Sequence, residues 1–311
     1  MVRNRGLCDR LTGNACKGRG PYVPSLHDFT IHDFVLALLH RNNMPIEIST
    51  ATRSISQDQF HQIDRQVLGI AFDIHNEYGR LLEEDFYKFE LIRRCSQIGL
   101  TVTREQLVRV RHGPFTKDYF IDLLFEESVI FECKCAQSIT PAHRGQTLNY
   151  LLLTETHHGS LINFRPFQVK REFVSSHLTH ELRRKFKVSV HNGDEVSAFQ
   201  RLMEVAIAFC VDVGLGLDLQ LYRQAFLELN AGPFIEPQPV GITSGDQVVY
   251  EHSMILLTHE IGLAVTAMST VAETRIHLLR LLSNTRLAGI AWVNCPLNEL
   301  RFEFLRQNHV G

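Results

Sequence analysis

The sequence predicts an α/β protein in which one unit of helices and strands is used twice. Three observations point there. Apolar residues recur at helical spacing in 57–74 and again in 198–211, at the start of each half. Short apolar runs bounded by turn residues follow both stretches, as strands do. At a constant offset of 131 residues Tyr119 meets Tyr250, Tyr150 meets Leu281 and Asn163 meets Asn294, so the order of elements recurs.

Residues 1–55 are weakly patterned, and the first twenty hold five basic residues against Asp9. Little order is expected there, and Met44 offers an alternative start. A first unit is expected over 56–175. Phe60, Ile63, Val67, Ile70, Ala71 and Ile74 give one helix, Gly79 breaks it, and a second runs from Leu82 to Gln97. Leu100–Arg111 alternates as a strand with Arg104, Arg109 and Arg111 outward. Two strands follow, Tyr119–Phe125 and Val129–Cys135, joined by the turn Glu126-Glu127-Ser128. Thr140-Pro141 opens a helix that runs to Thr154, and Ser160–Phe164 reads as a buried strand. Residues 176–194 read as a basic and polar linker. A second unit is expected over 195–311, with helices at 198–211, 217–229 and 271–282 and strands between them.

At 44% hydrophobic and 21% charged, the composition is that of a globular chain with ample core. The net charge of −2 is unevenly spread: 193–270 carries −8, and 1–192 carries +4. Any polyanion contact is therefore expected in the first two thirds. The apolar run Met254–Met268 holds His259 and Glu260 and is too short to cross a bilayer, and no membrane partner is expected. The seven scattered cysteines form no metal-ligand spacing, and they fit reduced thiols in a cytoplasm, with Cys133 and Cys135 packed in the core.

The hairpin carries the chemistry. A three-residue loop puts Asp122 opposite Glu132, and Lys134 on the same strand face as Glu132. Two like charges across a ladder destabilise it, so they call for a cation, a proton or a basic neighbour. Magnesium selects such oxygen sites, using one or two carboxylates with substrate phosphates. A solvated strand face with a surface ion pair would read the same way. On the helix after the hairpin, His143, Gln146 and Tyr150 share a face, able to position a phosphate or a water, or simply to be half buried. Glu84 and Tyr87 are neighbours on their helix. There Glu84 is either a third carboxylate at a metal or an acid that complements the helix dipole.

In order, His75-xxx-Gly79, LLEEDFYKFEL, Gly99-Leu100, IDLLF, FECK, AHRGQTLNYLLLT and GSLINF resemble the GxxExxY family of the PD-(D/E)XK nuclease superfamily, over roughly Ile63 to Phe173. Two positions depart from the family pattern: Leu81 stands where the naming motif has Gly, and GSLINF replaces the usual Gly-Leu-Leu-Ile-Asn-Phe. The resemblance implies a restriction-endonuclease-like three-layer core with a mixed sheet. It implies Asp122, Glu132 and Glu84 as ligands of magnesium or manganese, Lys134 as the catalytic lysine, and Gln146 and Tyr150 as an additional motif of the exonuclease branch. The expected activity is metal-dependent hydrolysis of DNA or RNA, with Arg104, Arg109, Arg111, Arg165, Lys170 and Arg171 contacting phosphates. The alternative is a silent nucleic-acid-binding or regulatory protein on the same fold. At the offset of 131 the second unit has Ser253, Leu263 and Val265 for Asp122, Glu132 and Lys134, so it is expected to be a degenerate copy. It is expected to pack on the first as an intrachain pseudo-dimer about a pseudo-twofold axis.

Overall fold

A computed structural model describes residues 45–192, 197–231 and 236–307. The first forty-four residues of the weakly patterned 1–55 segment lie outside the described residues. The rest of that segment is not featureless, because β1 (Ile46–Ile48) joins the first sheet.

The first unit runs α1 (Gln57–Tyr78), α2 (Glu84–Gln97), β2 (Val102–His112), β3 (Phe115–Phe125), β4 (Val129–Lys134), α3 (Pro141–Thr154), β5 (His158–Asn163) and β6 (Lys170–Ser175). Local chemistry explains its boundaries. Ser56 caps α1 and Thr140 caps α3, each through a reciprocal box with the third helical residue. Gly79, at φ 75, ends α1 in a conformation that costs glycine little. Glu126 and Glu127 both take positive φ in the β3–β4 turn, and the Ser128 N–H closes it on the Phe125 carbonyl at 2.9 Å.

The six strands lie in the order β1-β2-β3-β4-β5-β6. All neighbours are antiparallel except β4 and β5, which run parallel because α3 crosses over between them. Leu123, Phe125, Val129, Phe131 and Cys133 enter one core with Phe60, Val67 and Ile74 of α1 and Tyr87 and Leu91 of α2. This is the expected mixed-sheet α/β layering.

Residues 176–194, expected as a linker, hold α4 (His180–Arg183) and β7 (Lys187–His191). Their basic character concealed a buried Arg183, which donates to the carbonyls of Leu152 and Val213.

The second unit repeats the element order: α5 (Ser197–Val213), α6 (Leu219–Ala231), β8 (Gln238–Ser244), β9 (Gln247–Thr258), β10 (Ile261–Thr266), α7 (Val271–Ser283), β11 (Gly289–Asn294) and β12 (Glu299–Arg306). Its sheet has the order β7-β12-β11-β10-β9-β8, and β10 and β11 run parallel around α7 as β4 and β5 do around α3. Two hydrogen-bond nodes recur with it. Tyr87 donates to the Gly79 carbonyl at 2.7 Å and accepts from the Leu82 N–H at 3.3 Å. Tyr222 does the same with Gly214 at 2.8 Å and Leu217 at 3.1 Å. Asn163 closes a side-chain ring on the Ala136 backbone, and Asn294 closes one on Met268.

The strand register corrects the sequence offset by one residue. Lys134 pairs with Asn163, and Thr266 pairs with Asn294. The counterparts of Lys134, Glu132 and Asp122 are therefore Thr266, Ala264 and Met254. A one-residue slip turns every strand side chain to the other face. The second unit still lacks all three charges.

The units meet through α5 and α6 against β2 and β3. Phe209 packs edge-on against His112 and Phe115, His112 Nδ1 lies 2.7 Å from Asp212 Oδ2, and Asn149 accepts from the Asp218 N–H at 2.9 Å. A twofold would bury the equivalent tip of β8–β9 as well. Val248, Val249 and Tyr250 there are exposed, so the joint runs one way.

Candidate active site

The acidic pair forms where the sheet ladder is interrupted. In β3, Ile121 pairs with Gln106 and Leu123 with Arg104, which leaves Asp122 opposite Glu105 at φ 51. On its other side, β3 pairs with β4 from Leu123–Phe131 outward, so the same register brings Asp122 to Glu132. The carboxylate takes over the missing ladder bond, and Asp122 Oδ2 accepts the Cys133 N–H at 3.2 Å.

Glu132 is 1% exposed. Lys134 donates to its Oε1 at 2.8 Å, while its Oε2 is buried without a hydrogen-bond partner. Burial, followed by the neighbouring Asp122 charge, pushes the Glu132 carboxyl up to about 7, although Lys134 pulls it down. Burial also lowers Lys134, but Glu132 outweighs it and the net shift is upward. The result is a carboxylate short of one positive neighbour beside an ammonium that stays charged.

Sequence reasoning missed Lys88. Four residues after Glu84 on α2, it lies 2.9 Å from Glu84 Oε1 and donates to Asp122 Oδ1 at 2.8 Å. The available signal was the helical i, i+4 spacing of an acid and a lysine. Glu84 thus reaches the site through an ammonium. Tyr87 of the same motif is structural, stacked on Phe164 at 4.4 Å and holding the α1–α2 loop.

On α3, Gln146 donates to the Tyr150 hydroxyl at 3.0 Å. Burial raises that phenol to about 12, with Gln146 opposing. Both residues line a cleft of 630 Å³ with Tyr119 and Asn149, and its opposite wall is Gly216–Leu219 of the second unit. That wall is the second unit's counterpart of the loop leading to Glu84.

The expected phosphate contacts divide into two groups. Arg109 is held by Asp118 through two bonds of 2.6 Å, and Arg171 by buried Asp64 at 2.5 Å, so both neutralise the fold's own acids. Arg104 and Arg111 are more exposed and sit in looser pairs, with Glu105 at 3.1 Å and Glu47 at 3.5 Å. Arg165 donates to the Cys135 carbonyl at 3.4 Å, and Lys170 is exposed.

Among the described residues no three His, Cys, Asp or Glu side chains are gathered closely enough to hold a metal ion. The three-carboxylate ligand set of Asp122, Glu132 and Glu84 is thus not assembled, because Lys88 stands between Glu84 and Asp122. Asp122 and Glu132 alone still suit magnesium, which takes one or two carboxylates and completes its shell with water and phosphate. The unpartnered Glu132 Oε2 is the atom such an ion would satisfy.

Residues 61–175 match the family model of the PD-(D/E)XK nuclease superfamily. The matched segment contains Asp122, Glu132, Lys134, Glu84, Gln146 and Tyr150, and it ends where β6 ends. No curated protein matches the chain. Among solved structures, the crystal structure of SSO0001 is similar at 14% identity, covering 50% of this chain and 82% of that one, with a TM-score of 0.26. No helix among the described residues is long and apolar enough to cross a membrane.

Proposed function

We propose that this protein is a metal-dependent phosphodiesterase acting on DNA or RNA, of the GxxExxY branch of the nuclease superfamily. The observation that carries the reading is Glu132: a buried carboxylate with one oxygen on Lys134, the other unpartnered, and Asp122 beside it. Magnesium or manganese at Asp122 and Glu132 would supply Lewis-acid polarisation of the scissile phosphate and a more acidic water. Lys134 keeps its charge, and it orients that water or offsets the negative charge that grows on the phosphoryl oxygens. The Gln146–Tyr150 pair fixes a donor beside the cleft, where the nucleotide next to the cut would lie. Arg104, Arg111, Arg165 and Lys170 are the basic groups left for backbone phosphates, which they position without reading sequence.

The test is incubation of the full chain with mixed single- and double-stranded DNA and RNA in manganese. Cleavage is expected, and Lys134→Ala should abolish it while leaving the chain folded and most nucleic-acid binding intact. Unchanged turnover in that variant removes the catalytic role of Lys134.

One observation favours the silent binding protein instead: Lys88 already neutralises part of the acidic cluster. Melting with and without manganese separates the two readings. An active site that takes the ion gains stability by mass action, and Asp122→Ala loses that gain.

A further inference from the structure

Lys88 is built into the carboxylate cluster as firmly as the acids are. Its ammonium touches Asp122 Oδ1 at 2.8 Å and Glu84 Oε1 at 2.9 Å, and its side chain is 12% exposed. Burial pulls the ammonium down, but its bonds to the two carboxylates outweigh that and the net shift is upward.

The second unit supplies an internal comparison. Arg223 follows Tyr222 as Lys88 follows Tyr87, so the two cations occupy equivalent helix positions. Where the acids are missing, Arg223 donates to the Val265 carbonyl at 3.0 Å. Val265 stands one residue before the partner of Asn294, as Cys133 stands one residue before the partner of Asn163. Both units therefore place a cation at the same helix position, Arg223 on a β10 carbonyl and Lys88 on Asp122 of β3, whose other oxygen takes the Cys133 N–H; only the first unit surrounds its cation with carboxylates.

Charge balance says what this does. Glu84, Asp122 and Glu132 bring three negative charges and Lys88 and Lys134 two positive ones, while exposed Asp85, 3.9 Å from Lys88, is offset by Arg104 at 3.6 Å. A single divalent ion leaves the cluster with one positive charge, which matches one phosphodiester. A second ion would have to enter between Glu84 and Asp122 against the ammonium, and like charges at contact distance repel strongly in a half-buried site.

We propose that Lys88 is a resident cation that occupies one of two cation positions and restricts the site to a single divalent ion between Asp122 and Glu132. This rests on the metal-dependent reading above, and its test does not need turnover. Mn²⁺ binding to the full chain is followed by the resonance signal of the free ion, without nucleic acid. Wild type and Lys88→Arg should take one ion per chain, and Lys88→Met should take two. Lys88→Gln, which keeps a hydrogen-bond donor and is gentler on the fold, should also take two. Circular dichroism melts of each variant accompany the titration. Two ions in wild type, or one ion in folded Lys88→Gln, overturn the role of Lys88 while leaving the metal site standing. No ion in any of the four proteins overturns the metal-dependent reading, and this inference falls with it.

Discussion

Glu132 ties the stability of the fold to the chemistry of the site. Its carboxyl ionises near 4.5 in an unfolded chain and near 7 when buried beside Asp122. A group whose folded value is raised stabilises the fold fully below the unfolded value, and that contribution is lost as pH rises through the folded one. The chain without metal should therefore lose up to about 3 kcal/mol between pH 5 and pH 8 from this residue. Glu132→Gln cannot ionise, so its urea midpoints in EDTA should be flatter over that range. A parallel pH dependence in both proteins would show that Glu132 is not the titrating group. Manganese should restore the wild type at pH 8 and leave Glu132→Gln unmoved.

Among the elements, those with strong local signals were legible and those made by distant partners were not. The helix Pro141–Thr154 was read to the residue because a Thr cap and an early Pro mark its start. β7 was taken for linker because its strand character comes from pairing with β12, more than a hundred residues away. The acidic pair was legible because turn length sets hairpin register. Lys88 was not, because nothing in a run of helix says which strand its side chain reaches. The repeat was legible as an order of elements, but its best witness went unread: Gly79 to Tyr87 and Gly214 to Tyr222 have the same separation and the same bonds. That node yields a prediction. Tyr222→Phe loses a buried bond and orphans the Leu217 N–H, costing about 1–2 kcal/mol. Tyr87→Phe should cost a similar amount and also loosen the start of α2, weakening manganese binding. Equal metal affinity in Tyr87→Phe would separate the loop from the site.

At the scale of the whole molecule, the second unit acts as a cover. Phe209 lies on Phe115, which is 2% exposed, and α5 supplies the carbonyl that receives Arg183. A fragment of residues 45–192 keeps every candidate catalytic residue but uncovers this face and strands β7 without a sheet. It should scatter light and bind a hydrophobic dye. A soluble monomeric fragment with the full chain's melting temperature would show that the cover is dispensable.

Because Met254, Ala264 and Thr266 stand where the second unit would need Asp, Glu and Lys, each chain has one reaction centre under the proposed function. The one-way joint gives it no symmetric partner across a duplex. On double-stranded DNA such a chain breaks one strand per encounter. A supercoiled plasmid should pass through an open nicked circle before any linear form accumulates, and the linear form should rise with protein concentration.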